Sequence, residues 1–355
     1  MAGRQYLMNS LYTSSGWLDV PGLMPRASTF NIIVGGRGTG KTYGFLKHFR
    51  LEYPRPFLLL RRTQVQADLI TNPKFSPFNA LDRVEGCCTT TKKINKFIGG
   101  VYEGDPQDDG TILAVGPPLG YTAALSSIHN VRGYSMDVDE IILDEFIPEH
   151  GERPIPDEFN TFRNAYETIN RNRELEGRPP IRCWLLANSN SLGNPYFIGL
   201  RIVEQVDKMI RKGTPVWISE ERSLTVVNLA ASPISQAKAQ TALYKLTGPD
   251  EFTGMALGNE FSQESRSRQG SIPLKELTPL VAIGELEIYR HKGGRELYGS
   301  LHRSGSPETF PTDDAGVARF RARYGWLWEW YMEDRITWQT YLPELLFRKF
   351  MGENY

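Results

Sequence analysis

A glycine-rich stretch set between an apolar run and a helical run constrains this chain more than any other feature. Residues 35–42 read Gly35-Gly36-Arg37-Gly38-Thr39-Gly40-Lys41-Thr42, which fits the P-loop pattern G-x-x-x-x-G-K-[ST]. The context is the required one. Phe30-Asn31-Ile32-Ile33-Val34 reads as a short buried strand, and Lys41 to Arg50 reads as a helix. Each element has a chemical reason. Glycines let the backbone wrap a polyphosphate without Cβ clashes, and the wrapped N–H groups and helix N-terminus offer positive charge to anionic oxygens. Lys41 supplies a full charge near the β- and γ-phosphates, and the Thr42 hydroxyl is suited to bind Mg²⁺. Arg37 has two readings, a phosphate contact or a solvated side chain.

Further apolar runs give the sheet: Pro56–Leu60, Ile112–Val115, Ile141–Leu143 and Cys183–Ala187, with a helix over Asp157–Glu174. Buried strands alternating with helices predict an α/β fold with a parallel sheet. Signals from Thr71 to Gly110 are weak. The alternation fades after about residue 228. Ser232–Leu257 reads as helical with a turn at Gly248-Pro249-Asp250. Residues 280–303 read as a hairpin of a smaller domain. Thr312, followed by Asp313 and Asp314, reads as a helix start. The last 40 residues read as two helices parted near Asp334, carrying Trp326, Trp328, Trp330 and Trp338. Packing is the first reading of those rings and base stacking the second.

The second chemical signal is Ile141-Ile142-Leu143-Asp144-Glu145, an apolar strand ending in two carboxylates. Asp144 is expected in the Mg²⁺ shell. Glu145 is expected to orient and deprotonate an attacking water. The extra glutamate points away from kinases and GTP switches, toward ATPases that do mechanical work. Asn170-Arg171-Asn172-Arg173 closes the helix before the fifth strand. A guanidinium there serves either a transferring phosphoryl group or the helix dipole. Asn188, just after the fifth strand, is either a γ-phosphate sensor or an Asx turn. Arg61 and Arg62 end the second strand, where nucleotide or a neighbouring subunit is within reach.

Composition bounds the rest. The 355 residues hold 41 Lys+Arg and 41 Asp+Glu, so a histone-like basic coat is excluded, and any nucleic-acid contact needs local patches. No run approaches the roughly 18 apolar residues of a membrane helix, and the first 20 residues lack a signal layout. Three cysteines, Cys87, Cys88 and Cys183, argue against a disulfide framework and for a reducing compartment.

In this order, the residues resemble those of the DNA-packaging (encapsidation) ATPases of small short-tailed bacteriophages, relatives of terminase large subunits. The resemblance rests on the P-loop, Leu60-Arg61-Arg62, Ile142-Leu143-Asp144-Glu145-Phe146-Ile147, Arg171-Asn172-Arg173-Glu174, and Asn188 through Asn194-Pro195-Tyr196-Phe197. It spans roughly residues 30 to 200. It implies a P-loop NTPase domain of the RecA/ASCE type (1–228), a small helical linker (229–262) and an α+β RNase H-like domain (263–355). It implies ATP and Mg²⁺, a homo-oligomeric ring of five, double-stranded DNA, a capsid portal, and in some members a packaging RNA. It implies action in the host cytoplasm, transiently at the portal vertex. It favours Arg171 over Arg173 as the arginine given to a neighbour, and Asn188 as the sensor. It also turns the loop before the Asp-Glu strand toward the pore, with His129 and Arg132 as DNA contacts. Lys92 and Lys93, near Lys96, form a second basic candidate, with a solvated loop as the alternative.

The last domain decides between packaging and cutting. Nuclease sites cluster carboxylates around two metals. Here the hairpin offers Glu285 and Glu287 rather than an aspartate, and its second strand offers Ser300. Asp313, Asp314, Glu329, Glu333 and Asp334 have the spacing of exposed helix faces. The expectation is a nuclease fold without nuclease activity. The rivals are a cutting terminase, a nucleotide switch or scaffold, and a helicase.

Overall fold

The computed structural model describes residues 11–131, 136–149, 152, 155–230, 232–248, 251–258, 269–294 and 296–352. It divides into two units: Met1–Ser191 with Lys208–Ser262, and Leu192–Asp207 with Gln263–Tyr355. The segment expected as a linker, 229–262, therefore groups with the first unit, and residues 192–207 group with the second.

The first unit is built on nine strands: β1 (Phe30–Gly35), β2 (Phe57–Arg61), β3 (Thr89–Lys93), β4 (Ile98–Pro106), β5 (Ile112–Ala124), β6 (Glu140–Asp144), β7 (Arg182–Ala187), β8 (Val216–Ser219) and β9 (Leu224–Leu229). Their order is β3-β4-β5-β2-β6-β7-β1-β9-β8. The run from β5 to β9 is parallel, while β3, β4 and β8 add antiparallel edges. The central strands are buried on both faces, which is why they read as unbroken apolar runs. Phe45 and Phe49 follow the P-loop and pack on Trp184, with ring centroids 4.7 and 6.3 Å away. That contact holds the helix Lys41–Lys47 against the sheet.

Register carries the functional consequence. Leu60 lies beside Leu143, Asp144 beside Leu186, and Val34 beside Ala187. The neighbouring parallel strands β2, β6, β7 and β1 thus end together at Arg61, Asp144, Ala187 and Gly35. The carboxyl end of a parallel sheet is where α/β proteins bind ligands.

Several expectations change in this unit. The third strand is 13 residues long rather than four, because Gly116-Pro117-Pro118 is spanned and not a stop. Its first half pairs only with β4, at an edge where proline costs no ladder bond. The weak stretch 71–110 holds the helix Phe78–Glu85 and strands β3 and β4. The helix expected over 157–174 stops at Asn170, and Arg171 takes φ +49°.

The second unit carries a five-stranded sheet: β10 (Leu277–Ile283), β11 (Leu286–His291), β12 (Leu297–Ser300), β13 (Thr309–Phe310) and β14 (Ile336–Trp338), ordered β13-β10-β11-β12-β14. Asp313 caps the helix Asp314–Tyr324, accepting from the Gly316 N–H at 2.6 Å. The two helices expected at the end become three, Asp314–Tyr324, Trp326–Met332 and Tyr341–Met351, with β14 between the last two. Ile336-Thr337-Trp338 pairs in parallel with β12, a tertiary contact that outweighs local helix signals. Trp338 is fully buried, and Trp326, Trp328 and Trp330 are partly buried and pack against the same core, in keeping with the packing reading of these rings. Among the described residues no helix is long and apolar enough to cross a membrane.

Candidate nucleotide site

The P-loop leaves β1 at Gly35 and enters the helix Lys41–Lys47 through Gly40. Gly38 (φ +69°) and Gly40 (φ +87°) adopt the left-handed backbone that lets successive N–H groups face one concavity. Below the loop, the Lys41 ammonium donates to the carbonyls of Gly35 and Gly36, each at 2.9 Å, and to Asn188 Oδ1 at 3.2 Å. A cavity of about 990 Å³ opens over it. Arg37, Gly38, Thr39, Gly40, Lys41, Thr42, Asp144, Glu145 and Asn188 all line that cavity, so most of the residues singled out in the sequence meet at one place.

Thr42 Oγ1 donates to Asp144 Oδ2 at 2.8 Å. The two oxygens expected to bind Mg²⁺ are therefore already adjacent. Among the described residues no group of three or more His, Cys, Asp or Glu is poised to hold a metal ion. A hydroxyl and a single carboxylate nevertheless fit Mg²⁺, which keeps waters and phosphate oxygens as its other ligands. Glu145 has φ +59°, a left-handed turn at the strand exit that is costly for a residue with a side chain. Burial pushes its carboxyl above the usual range, Asp144 and Glu149 add to this, and Arg61 opposes it.

Arg61, expected near nucleotide or a neighbouring subunit, meets the acidic pair instead. It ends β2 and reaches Asp144 at 3.1 Å and Glu145 at 2.7 Å. Its signal was positional: it ends the strand beside the one that carries the acidic pair. Arg62 points to the other face, fully buried, with two 2.8 Å bonds to Glu158 and one of 2.7 Å to Glu152. It is thus not free to reach a nucleotide. Arg37 pairs with Glu149 at 2.6 Å.

Lys41 is almost fully buried, and its pKa is lowered to about 8 by desolvation, against the pull of Asp144 and Glu145. A polyphosphate favours the charged form, so binding takes up a proton once pH exceeds about 8. Nucleotide affinity should therefore be flat below pH 7 and fall by up to about tenfold per unit above 8. Calorimetry at pH 8.5 in buffers of different ionisation heat should register the proton. Its absence would remove Lys41 from the phosphate contact.

The other candidates lie elsewhere. Arg171 is exposed, bonds the Thr168 carbonyl at 3.2 Å and does not line the cavity. Arg173 is buried and held by the carbonyls of Pro179 and Val138 and by Asp139 at 2.8 Å. His129 is exposed on a 3₁₀ turn, Leu125–Val131. Arg132 lies outside the described residues. Lys92 sits over the Tyr102 ring at 4.8 Å, and Lys93 pairs with Asp68 at 2.9 Å.

Sheet and site together define the class: an α/β protein with a largely parallel sheet, carrying a P-loop beside a strand-end acidic pair. Within that class the chain is similar to phage DNA-encapsidation proteins. The family model described as Podovirus DNA encapsidation protein (Gp16) matches residues 114–269. The DNA packaging protein of Bacillus phage phi29 is 26% identical over 241 residues, covering 66% of this chain and 63% of that protein. That of Bacillus phage B103 is 26% identical over 246 residues, covering 66% and 65%. The match thus spans a little under two thirds of the length of these curated relatives. Among solved structures, the phi28 gp11 DNA packaging motor superposes with a TM-score of 0.63 at 18% identity, covering 97% of this chain and 100% of that one. The bacteriophage phi29 viral genome packaging motor assembly gives 0.63 at 17%, covering 94% and 99%. At these identities the structural likeness is one of fold.

Proposed function

We propose that this chain is an ATP-driven motor that moves double-stranded viral DNA into a preformed capsid through its portal. The observation that carries the reading is the convergence of Lys41, Thr42, Asp144, Glu145 and Asn188 on one cavity at the carboxyl end of the parallel sheet. The similarity to encapsidation proteins supports the substrate and the setting. The P-loop N–H groups and Lys41 hold the β- and γ-phosphates of ATP. Thr42 and Asp144 hold Mg²⁺, which when bound neutralises phosphate charge and orients the terminal phosphoryl group. Glu145 takes the proton of the attacking water. In this structure it is engaged by Arg61, so that pair opens before Glu145 can act. Arg171, exposed and away from its own cavity, serves the site of a neighbouring subunit. Asn188 holds Lys41 and is positioned to respond to the γ-phosphate.

The same reading gives a RecA/ASCE-type first domain and a homo-oligomeric ring of five. Its partners are DNA and the portal, and it acts in the host cytoplasm, transiently at the portal vertex. His129, Arg132, Lys92 and Lys93 are proposed to touch DNA phosphates, a grip that weakens with salt. The deciding experiment measures phosphate release by the protein alone, with DNA, and with DNA and matched capsid shells. Stimulation in the last two arms is the expected outcome; none in either removes the motor. Lys41→Ala should lower ATP affinity on the order of 100-fold, the worth of a charged hydrogen bond to phosphate, read by titration with a fluorescent analogue.

We propose that the last domain is RNase H-like and does not cut DNA. Glu287 is buried and engaged by Tyr289 Oη, the Ser304 N–H and Ser306 Oγ. Glu285 is exposed and pairs with Arg201 at 2.8 Å. The hairpin acids thus have separate partners. Plasmid incubated with the protein and Mn²⁺ should stay supercoiled. Nicking that disappears in Glu285→Gln or Glu287→Gln would reverse this.

A further inference from the structure

We propose that Lys238 is a further phosphate-contacting residue: a second ammonium that engages the terminal phosphates from the helical segment after β9. The inference rests on the nucleotide reading of the site and deepens it. Lys238 ends the short helix Pro233–Lys238 and lines the same cavity as Gly38 and Lys41. Its Nζ donates to the Arg37 carbonyl at 3.0 Å. It lies so near the loop that a Cβ on Gly38 would collide with it.

The charges around the loop are matched unevenly. Arg61 faces Asp144 and Glu145, and Arg37 faces Glu149. Lys41 and Lys238 face neutral partners, namely backbone carbonyls, the Thr39 hydroxyl and the Asn188 amide. Among the described residues no carboxylate lies within ion-pair distance of Lys238. Two ammonium groups brought to one glycine loop with only neutral acceptors form a site matched to a polyanion. A phosphate entering the cavity would offer both ammonium groups a charged acceptor in place of neutral ones.

A second contact ties the same segment to the loop: the Arg37 N–H donates to the Ala256 carbonyl at 3.0 Å, from the helix Glu251–Gly258. Residues 233–258 therefore grip the P-loop at two points. Transfer of Lys238 from a carbonyl to a phosphate changes one of them.

The test compares wild type, Lys238→Ala and Lys238→Arg in the full chain. Each is titrated with ATP and with inorganic tripolyphosphate, and its thermal midpoint is measured without ligand. Lys238→Ala should lose affinity for both ligands by the same factor, on the order of tenfold or more for one charged hydrogen bond. Lys238→Arg should recover most of it, and the ligand-free midpoint should not move. Unchanged affinity in Lys238→Ala overturns the proposal. So does a loss that Lys238→Arg fails to rescue and that accompanies a lower midpoint, since that is the behaviour of a packing residue. Wild type that binds neither ligand removes the nucleotide reading itself, and this inference with it.

Discussion

Glu145→Gln should keep ATP and lose turnover, by about 10²- to 10⁴-fold, the usual worth of a positioned general base. The substitution preserves size and lets the amide oxygen accept from Arg61, where the carboxylate now sits 2.7 Å from the guanidinium. The left-handed backbone at this position costs glutamine what it costs glutamate. Phosphate loop, Lys41 and the Thr42–Asp144 bond are untouched, so binding should match wild type within a few-fold. Titration with a fluorescent analogue beside a phosphate-release assay reads both quantities. Turnover equal to wild type would strip Glu145 of its role. Loss of binding would make it a structural residue.

Arg171→Ala should reduce turnover by roughly 10³-fold or more, within the range for an arginine supplied to a phosphoryl group. Nucleotide affinity and thermal midpoint should be unaffected, because the side chain is exposed and does not line its own cavity. The same change at Arg173 should act differently. That guanidinium is buried, with two carbonyls and Asp139 as partners, so its loss should destabilise the chain by about 3–5 kcal/mol. Mixing separates a shared site from a private one. Arg171→Ala subunits retain Glu145, and Glu145→Gln subunits retain Arg171. If the arginine crosses between subunits, the mixture recovers activity that neither variant has alone. A mixture as inactive as its components would confine Arg171 to its own chain.

Placement at the cavity was legible in the sequence wherever a candidate residue lay on a strand end. The P-loop, Asp144, Glu145 and Asn188 each follow an apolar run. Parallel register then forces those runs to finish side by side. Partners defined only by tertiary approach were not legible. Arg61 and Arg62 are neighbours in sequence and opposite in duty, because alternate strand residues face opposite ways. Lys238 reaches the loop from 201 residues downstream of Arg37, with no motif to announce it. The outer strands were missed for another reason. Thr89-Thr90-Thr91-Lys92-Lys93 carries no apolar run, and Gly116-Pro117-Pro118 imitates a turn inside the long strand β5.

The doubly bonded contact between Arg62 and Glu158 fixes the root of the helix Glu158–Asn170, and Arg171 sits at its tip. Thirteen helical residues make a rod of about 20 Å, so a tilt of about 5° at the root sweeps the tip through about 2 Å. That is the difference between a guanidinium in reach of an oxygen and one out of reach. Arg61, one residue away, holds the two carboxylates that would flank the cleaved bond. If Arg171 serves a neighbouring subunit as proposed, the end of β2 would be a fulcrum, on which events in one pocket set the aim of the arm extended to the next.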